Sequence, residues 1–152
     1  MSESNGSGAI PAALAEIIAE FKAADDREKL DLLLEFSDEL PDLPERLEHL
    51  RDEMLQVEEC QAPVGIHAEK QNGHIHFYFA IPESAPTVRG FASIMLEGTQ
   101  DATPEQILQI PADFYLEMGL QRVLSPQRLN GIGAILAYMK RLALQAMDAN
   151  AA

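Results

Sequence analysis

A chain of 152 residues, 47% of them hydrophobic, can bury a core the size of one domain, and its single cysteine excludes an internal disulfide framework. The 25 acidic against 11 basic residues give a net charge of −14, which repels phosphate backbones and anionic lipid, so neither nucleic-acid nor membrane binding is expected. One free thiol suits a reducing compartment, and "MSESNGSGAI" lacks the basic and apolar regions of a secretory leader, so the expected location is cytoplasmic.

Residues 1–10 are expected to form a disordered tail, 11–148 a single domain and 149–152 a short C-terminal tail. Pro11 opens "PAALAEIIAEFKAA", in which Leu14, Ile17, Ile18 and Phe21 recur at helical spacing. Asp25 or Asp26 caps a second helix, "REKLDLLLEFSDEL", with Leu30, Leu33, Leu34 and Phe36 as its apolar face and Pro41 and Pro44 as its stop. "ERLEHLRDEMLQVEEC" is ambiguous and reads as a helical turn followed by an extended approach to Cys60.

The period then changes to two. Val64, Ile66 and Ala68 alternate with Gly65, His67 and Glu69; Ile75, Phe77, Phe79 and Ile81 alternate with His74, His76, Tyr78 and Ala80. Asn72-Gly73 between the runs signals a hairpin, with one face apolar under helices and the histidine face wetter. "TVRGFASIMLEG" is expected to be a helix with Val88, Phe91, Met95 and Leu96 on one side and Gly98 at its end. Thr103 and Pro104 start another, and "ADFYLEMGL" forms a short one stopped by Gly119. Ser125 caps and Pro126 opens the last helix, with Leu129, Ile132, Ile135, Leu136, Met139, Leu142 and Met147 as its buried stripe. The sum is α+β: a small antiparallel sheet with a central hairpin, packed by N-terminal, middle and C-terminal helices.

Little in this pattern carries chemistry. "GIGAI" lies inside an amphipathic helix, so it is no dinucleotide fingerprint; Gly131 and Gly133 suit close packing or partner approach. His74 and His76 project from one strand face with His67 across the hairpin. That falls short of a full zinc ligand set, and the bland reading is three solvated histidines. The carboxylates lie on helix faces and present no acid–base pair. Cys60 divides evenly between a buried inert residue and a reactive thiol presented at a junction. A cysteine–histidine hydrolase would need a histidine beside it, and His67 is the one to test.

"LDLLLEFSDELPDLPERL", "VEECQAPV", "VRGFASIM" and "LSPQRLNGIGAIL" resemble, in that order, the successive motifs of the SufE family, sulfur-acceptor proteins of iron–sulfur cluster assembly. The resemblance runs from about Asp26 to about Ala146. It implies a small α+β domain that takes persulfide sulfur from a SufS-type cysteine desulfurase, stimulates that enzyme and relays sulfur to a SufBCD-type scaffold. It implies no independent turnover and no cofactor of the chain's own, the pyridoxal phosphate belonging to the desulfurase. By position it makes Cys60 the persulfide carrier and Arg128 a support for the thiolate or persulfide, with Glu59, Gln61 and Val64 toward the partner. The family usually has glycine where Glu59 stands, often serine at Ala62 and tryptophan at Gly65. From the residues alone, a non-covalent acidic adaptor with Cys60 incidental is the alternative.

Overall fold

The computed structural model describes residues 10–151, the last three by backbone alone; residues 1–9 and Ala152, which belong to the two expected tails, lie outside the described residues. In chain order the elements are α1 (Ala12–Ala23), α2 (Asp26–Glu39), a 3₁₀ segment (Glu45–Glu53), β1 (Leu55–Gln56), β2 (Gly65–Gln71), β3 (His74–Ala80), α3 (Pro86–Gly98), α4 (Pro104–Leu108), two 3₁₀ turns (Phe114–Leu116 and Leu120–Arg122) and α5 (Pro126–Ala151). The three strands form one antiparallel sheet in the order β1-β2-β3, so the class is α+β as expected. No described helix is long and apolar enough to cross a membrane.

Local chemistry explains most boundaries. Asp25 caps α2 in a capping box with Glu28, each side chain bonding the other's backbone N–H at 2.8 Å. Thr103 and Gln106 repeat the device on α4. Asn72 and Gly73 take φ of 53° and 83°, the paired left-handed angles of a two-residue hairpin turn. The register follows, with His67 opposite Tyr78 and Ala68 opposite Phe77. Gly119 stops its segment at φ 76°, but the segment holds one 3₁₀ turn, Phe114–Leu116, not the short helix expected, and the second 3₁₀ turn follows the glycine.

The core corrects two other expectations and gives a reason for a third. Leu30 and Leu34 are 42% and 51% exposed, whereas Lys29, Leu33, Phe36 and Ser37 are buried. The helix is rotated because α2 must lie against α3. Lys29 keeps its stem beneath Gly119 and sends Nζ to the carbonyl of Ala24, so a charged residue can occupy an inward position. Second, α3 is not one-sided: every residue from Gly90 to Met95 is buried, because α1, α2, β3 and α5 all contact the helix. Third, Gly98 does end α3 as expected, and does so without a left-handed turn. A Cβ there would come within 2.7 Å of Leu14 Cδ1, so the glycine admits α1, and Thr99 Oγ1 donates to the Met95 carbonyl at 2.6 Å just beyond it.

The histidine face of the sheet is less open than its polarity suggested. Leu43, Leu47 and Met54 form a small second core over Tyr78 and Ala80. Arg46 grips Glu69 through two bonds of 2.9 and 2.8 Å and donates to Tyr78 Oη at 3.1 Å. The Arg46 guanidinium, with help from His67, holds the Glu69 carboxyl at about 2, well below the usual 4.5.

Two outcomes are expected. A Cβ at Gly90 would meet the Leu33 backbone carbonyl, which cannot yield as a side-chain tip does. Gly90→Ala should therefore lower stability in urea unfolding by about 1–3 kcal/mol, despite alanine's better helix propensity; an unchanged midpoint would contradict the α2–α3 packing. The lowered Glu69 value means that its contribution is present above pH 4.5 and lost as pH falls toward about 2. Glu69→Gln should flatten stability across that window, and an unaltered acid profile would count against the grip of Arg46.

Candidate functional site

The loop that carries Cys60 is closed at its base. Leu55 and Gln56 pair with Ile66 and Gly65, and Val57 N–H donates to the Val64 carbonyl at 2.9 Å. Val57 and Val64 are 3% and 0% exposed, so both legs of the loop are pinned into the core. Above them Cys60 N–H donates to the Val57 carbonyl at 3.2 Å, tightening the turn. Positive φ outside glycine occurs, among the described residues, only at Asn72 and Asp101. Glu59 therefore sits where the family usually has glycine without left-handed strain. Gly65 has its own reason: a Cβ there would stand 3.0 Å from Gln56 Nε2 and 3.3 Å from Met54 Cβ, so those two residues fill the room a tryptophan would need.

Cys60 is half-buried and free. Its Sγ donates to the backbone carbonyl of Gly131, at 3.7 Å, in the second turn of α5. Burial pushes the thiol above its ordinary pKa, and the neighbouring Glu59 carboxylate adds to the rise. Beside the sulfur lies a cavity of about 240 Å³ lined by Cys60, Gln61, Ser84, Thr87, Gln127 and Arg128, among others. Ser125 caps α5 by accepting from Arg128 N–H at 3.3 Å, which fixes that first turn at the cavity wall. Among the described residues the Arg128 guanidinium enters no ion pair.

Of the residues singled out from sequence, Cys60, Gln61 and Arg128 meet at this one cavity. Glu59 is exposed on the loop, and Val64 is fully buried beneath it. His67 is elsewhere: it bonds Glu69 at 3.3 Å, and no histidine lines the cavity. The cysteine–histidine arrangement of a hydrolase is thus not formed. His76 packs edge-on to Tyr78 at 4.7 Å, and among the described residues no cluster of three His, Cys, Asp or Glu could hold a metal. Sequence reasoning missed Ser84, Thr87 and Gln127, which have no signal beyond polarity. It also missed the Gly131 carbonyl, for which the signal was a glycine in a helix interior.

A family model described as "SufE: Fe-S metabolism associated domain" matches residues 15–143. An uncharacterized SufE-like protein of Mycobacterium tuberculosis is 42% identical over 134 residues, covering 87% of this chain and 92% of that protein. The SufE-like protein 1, chloroplastic/mitochondrial, of Arabidopsis thaliana is 29% identical over 136 residues, 89% of this chain and 36% of that protein. The solution structure of a hypothetical protein from Thermus thermophilus superposes with a TM-score of 0.81 at 32% identity, covering 91% of this chain and 98% of that one.

The raised thiol makes a checkable statement. In the free protein, Cys60 alkylation by iodoacetamide should be slower at neutral pH than in the urea-unfolded chain. Because burial is the larger cause and Glu59 the smaller, Glu59→Gln should recover only a minor part of the difference. A Glu59→Gln rate–pH profile equal to that of the unfolded chain would contradict this ordering.

Proposed function

This chain belongs to the SufE family, associated with Fe–S metabolism, and on that premise we propose that Cys60 is a sulfur acceptor serving a SufS-type cysteine desulfurase. The observation that carries the reading is the shared cavity: the chain's only thiol, on a closed loop, lies beside an arginine that is free of carboxylate partners among the described residues. In the transfer, the Cys60 thiolate attacks the terminal sulfur of the partner's persulfide. A new S–S bond forms at Cys60, the partner's S–S bond breaks, and the partner's cysteine leaves as a thiolate. The proton lost by Cys60 goes to solvent or to that leaving thiolate. Sulfane sulfur changes carrier and no external oxidant is consumed.

The resting thiol is poorly ionised, so transfer requires it to change surroundings. Moving from the Gly131 carbonyl into the cavity takes it away from a negative dipole end. It then meets the first turn of α5, the positive end of that helix, and the Arg128 guanidinium. Both favour thiolate and, after transfer, the anionic persulfide. Glu59 and Gln61, on the same loop, face the partner, and relay to a SufBCD-type scaffold discharges the carrier. The domain supplies no cofactor, the pyridoxal phosphate being the desulfurase's, and a persistent free thiol fits a reducing cytoplasm.

The surface charge of −14 favours one other reading, an acidic adaptor that stimulates a basic partner without covalent chemistry. One experiment separates them. A purified desulfurase fed cysteine should leave one additional sulfur on Cys60, seen by intact mass. Cys60→Ser should abolish both that sulfur and the stimulation of sulfur release while keeping the wild-type melting temperature. Stimulation undiminished in the serine variant would overturn the covalent reading in favour of the adaptor. Arg128→Ala should accept sulfur at least about tenfold more slowly, the scale of one charge-assisted hydrogen bond.

A further inference from the structure

Two glycines stand close together on α5, and only one faces the sulfur. A Cβ at Gly131 would lie 3.0 Å from Cys60 Sγ, tighter than nine in ten real contacts, with Cys60 Cα at an ordinary 3.7 Å. A Cβ at Gly133 would lie 3.5 Å from Tyr115 Oη and 3.6 Å from its ring, an ordinary contact. Glycine weakens a helix interior by about 1 kcal/mol relative to alanine. At Gly133 nothing nearby demands it. At Gly131 the bare Cα is the space the thiol occupies, and the same residue's carbonyl takes the thiol's hydrogen bond through its second lone pair.

We propose that Gly131 is a positioning residue for sulfur transfer: it forms a berth that holds the unloaded Cys60 thiol and cannot hold the persulfide. This rests on the reading of Cys60 as the acceptor. An unloaded Sγ carries a proton and donates it toward the Gly131 carbonyl. In a persulfide, Sγ is bonded to Cβ and to the second sulfur and has no proton to give. The terminal sulfur, about 2.05 Å farther out, bears the proton or the charge. Lone pairs on Sγ then oppose those of the carbonyl, and the added atom has no room against the α5 backbone. The loaded side chain therefore turns into the adjoining cavity of about 240 Å³, where Arg128 stands. Empty and loaded carriers thus differ in where the Cys60 side chain lies and in whether it ties the tip of the loop to α5, so a donor can favour the first and a recipient the second.

The test compares Gly131→Ala, Gly133→Ala and wild type by iodoacetamide alkylation of the free protein across pH. Gly131→Ala should react roughly two- to fivefold faster, the scale of one weak S–H···O hydrogen bond, with its pH midpoint moved down toward an ordinary cysteine. Gly133→Ala should match wild type in rate and midpoint, and circular dichroism should show all three folded. A Gly131→Ala rate and midpoint equal to wild type, or an equal rise in Gly133→Ala, would overturn the proposal. Should Gly131→Ala not fold, wild-type protein loaded with inorganic polysulfide answers instead. Amide exchange in residues 57–64 should be faster loaded than unloaded, and equal exchange overturns the berth. None of these readings involves a desulfurase. Failure of the berth and failure of the acceptor reading are therefore told apart by whether sulfur still arrives on Cys60 from the enzyme.

Discussion

The apolar face of the β2–β3 hairpin has to be covered, and the site exists because of how it is covered. Ile66, Ile75, Phe77 and Phe79 are each at most 4% exposed, and α3 and α5 contact the sheet that carries them. Burial of each such side chain is worth about 1.5–3 kcal/mol, while an S–H···O contact is worth at most about 1 kcal/mol. Packing therefore sets the separation between β2 and α5. Because β1 and the Val57–Val64 bond tie the loop to β2, the same packing carries Cys60 up to α5. The hydrogen bond to Gly131 only selects which way the sulfur points.

That hierarchy explains which features were readable from residues. Elements with a strong local signal came through: the Asn72-Gly73 turn, the capping residues Asp25, Thr103 and Ser125, and the alternation of Ile75, Phe77 and Phe79. What failed depended on neighbours. Leu30 and Leu34 look like core beside Leu33, but α3 sets the rotation of α2, and Lys29 is inward because its amine can reach the Ala24 carbonyl. α3 looks one-sided because its large apolar residues do recur at helical spacing, while the small Gly90, Ala92 and Ser93 between them are buried by neighbours that no local pattern names. The Arg46–Glu69–Tyr78 grip joins residues 23 and 32 positions apart, which no local pattern announces.

The site was readable in the same uneven way. Composition singles out Cys60, and the ordered motifs point to Arg128, but nothing in the spacing of residues 60 and 128 says that they share a cavity. The two acidic residues before Cys60, Glu58 and Glu59, disfavour a nearby thiolate by their charge. In the structure burial is the larger obstacle and Glu59 the smaller. Both act on the resting position, and in the proposed transfer a short movement toward Arg128 relieves the first without altering the sequence. A carrier gains from such an arrangement, since a thiol kept protonated resists oxidation between transfers.

The central claim is that Cys60 is held as a thiol in the free protein and becomes a thiolate where sulfur is handed over. The direct measurement is the pH titration of the isotope-labelled Cys60 Cβ resonance by NMR. It is taken on the free chain and on its complex with a desulfurase whose persulfide-bearing cysteine is replaced by serine. The account expects a midpoint above that of an ordinary cysteine in the free chain and a clearly lower one in the complex. The same midpoint in both states, or an already ordinary value in the free chain, would contradict it.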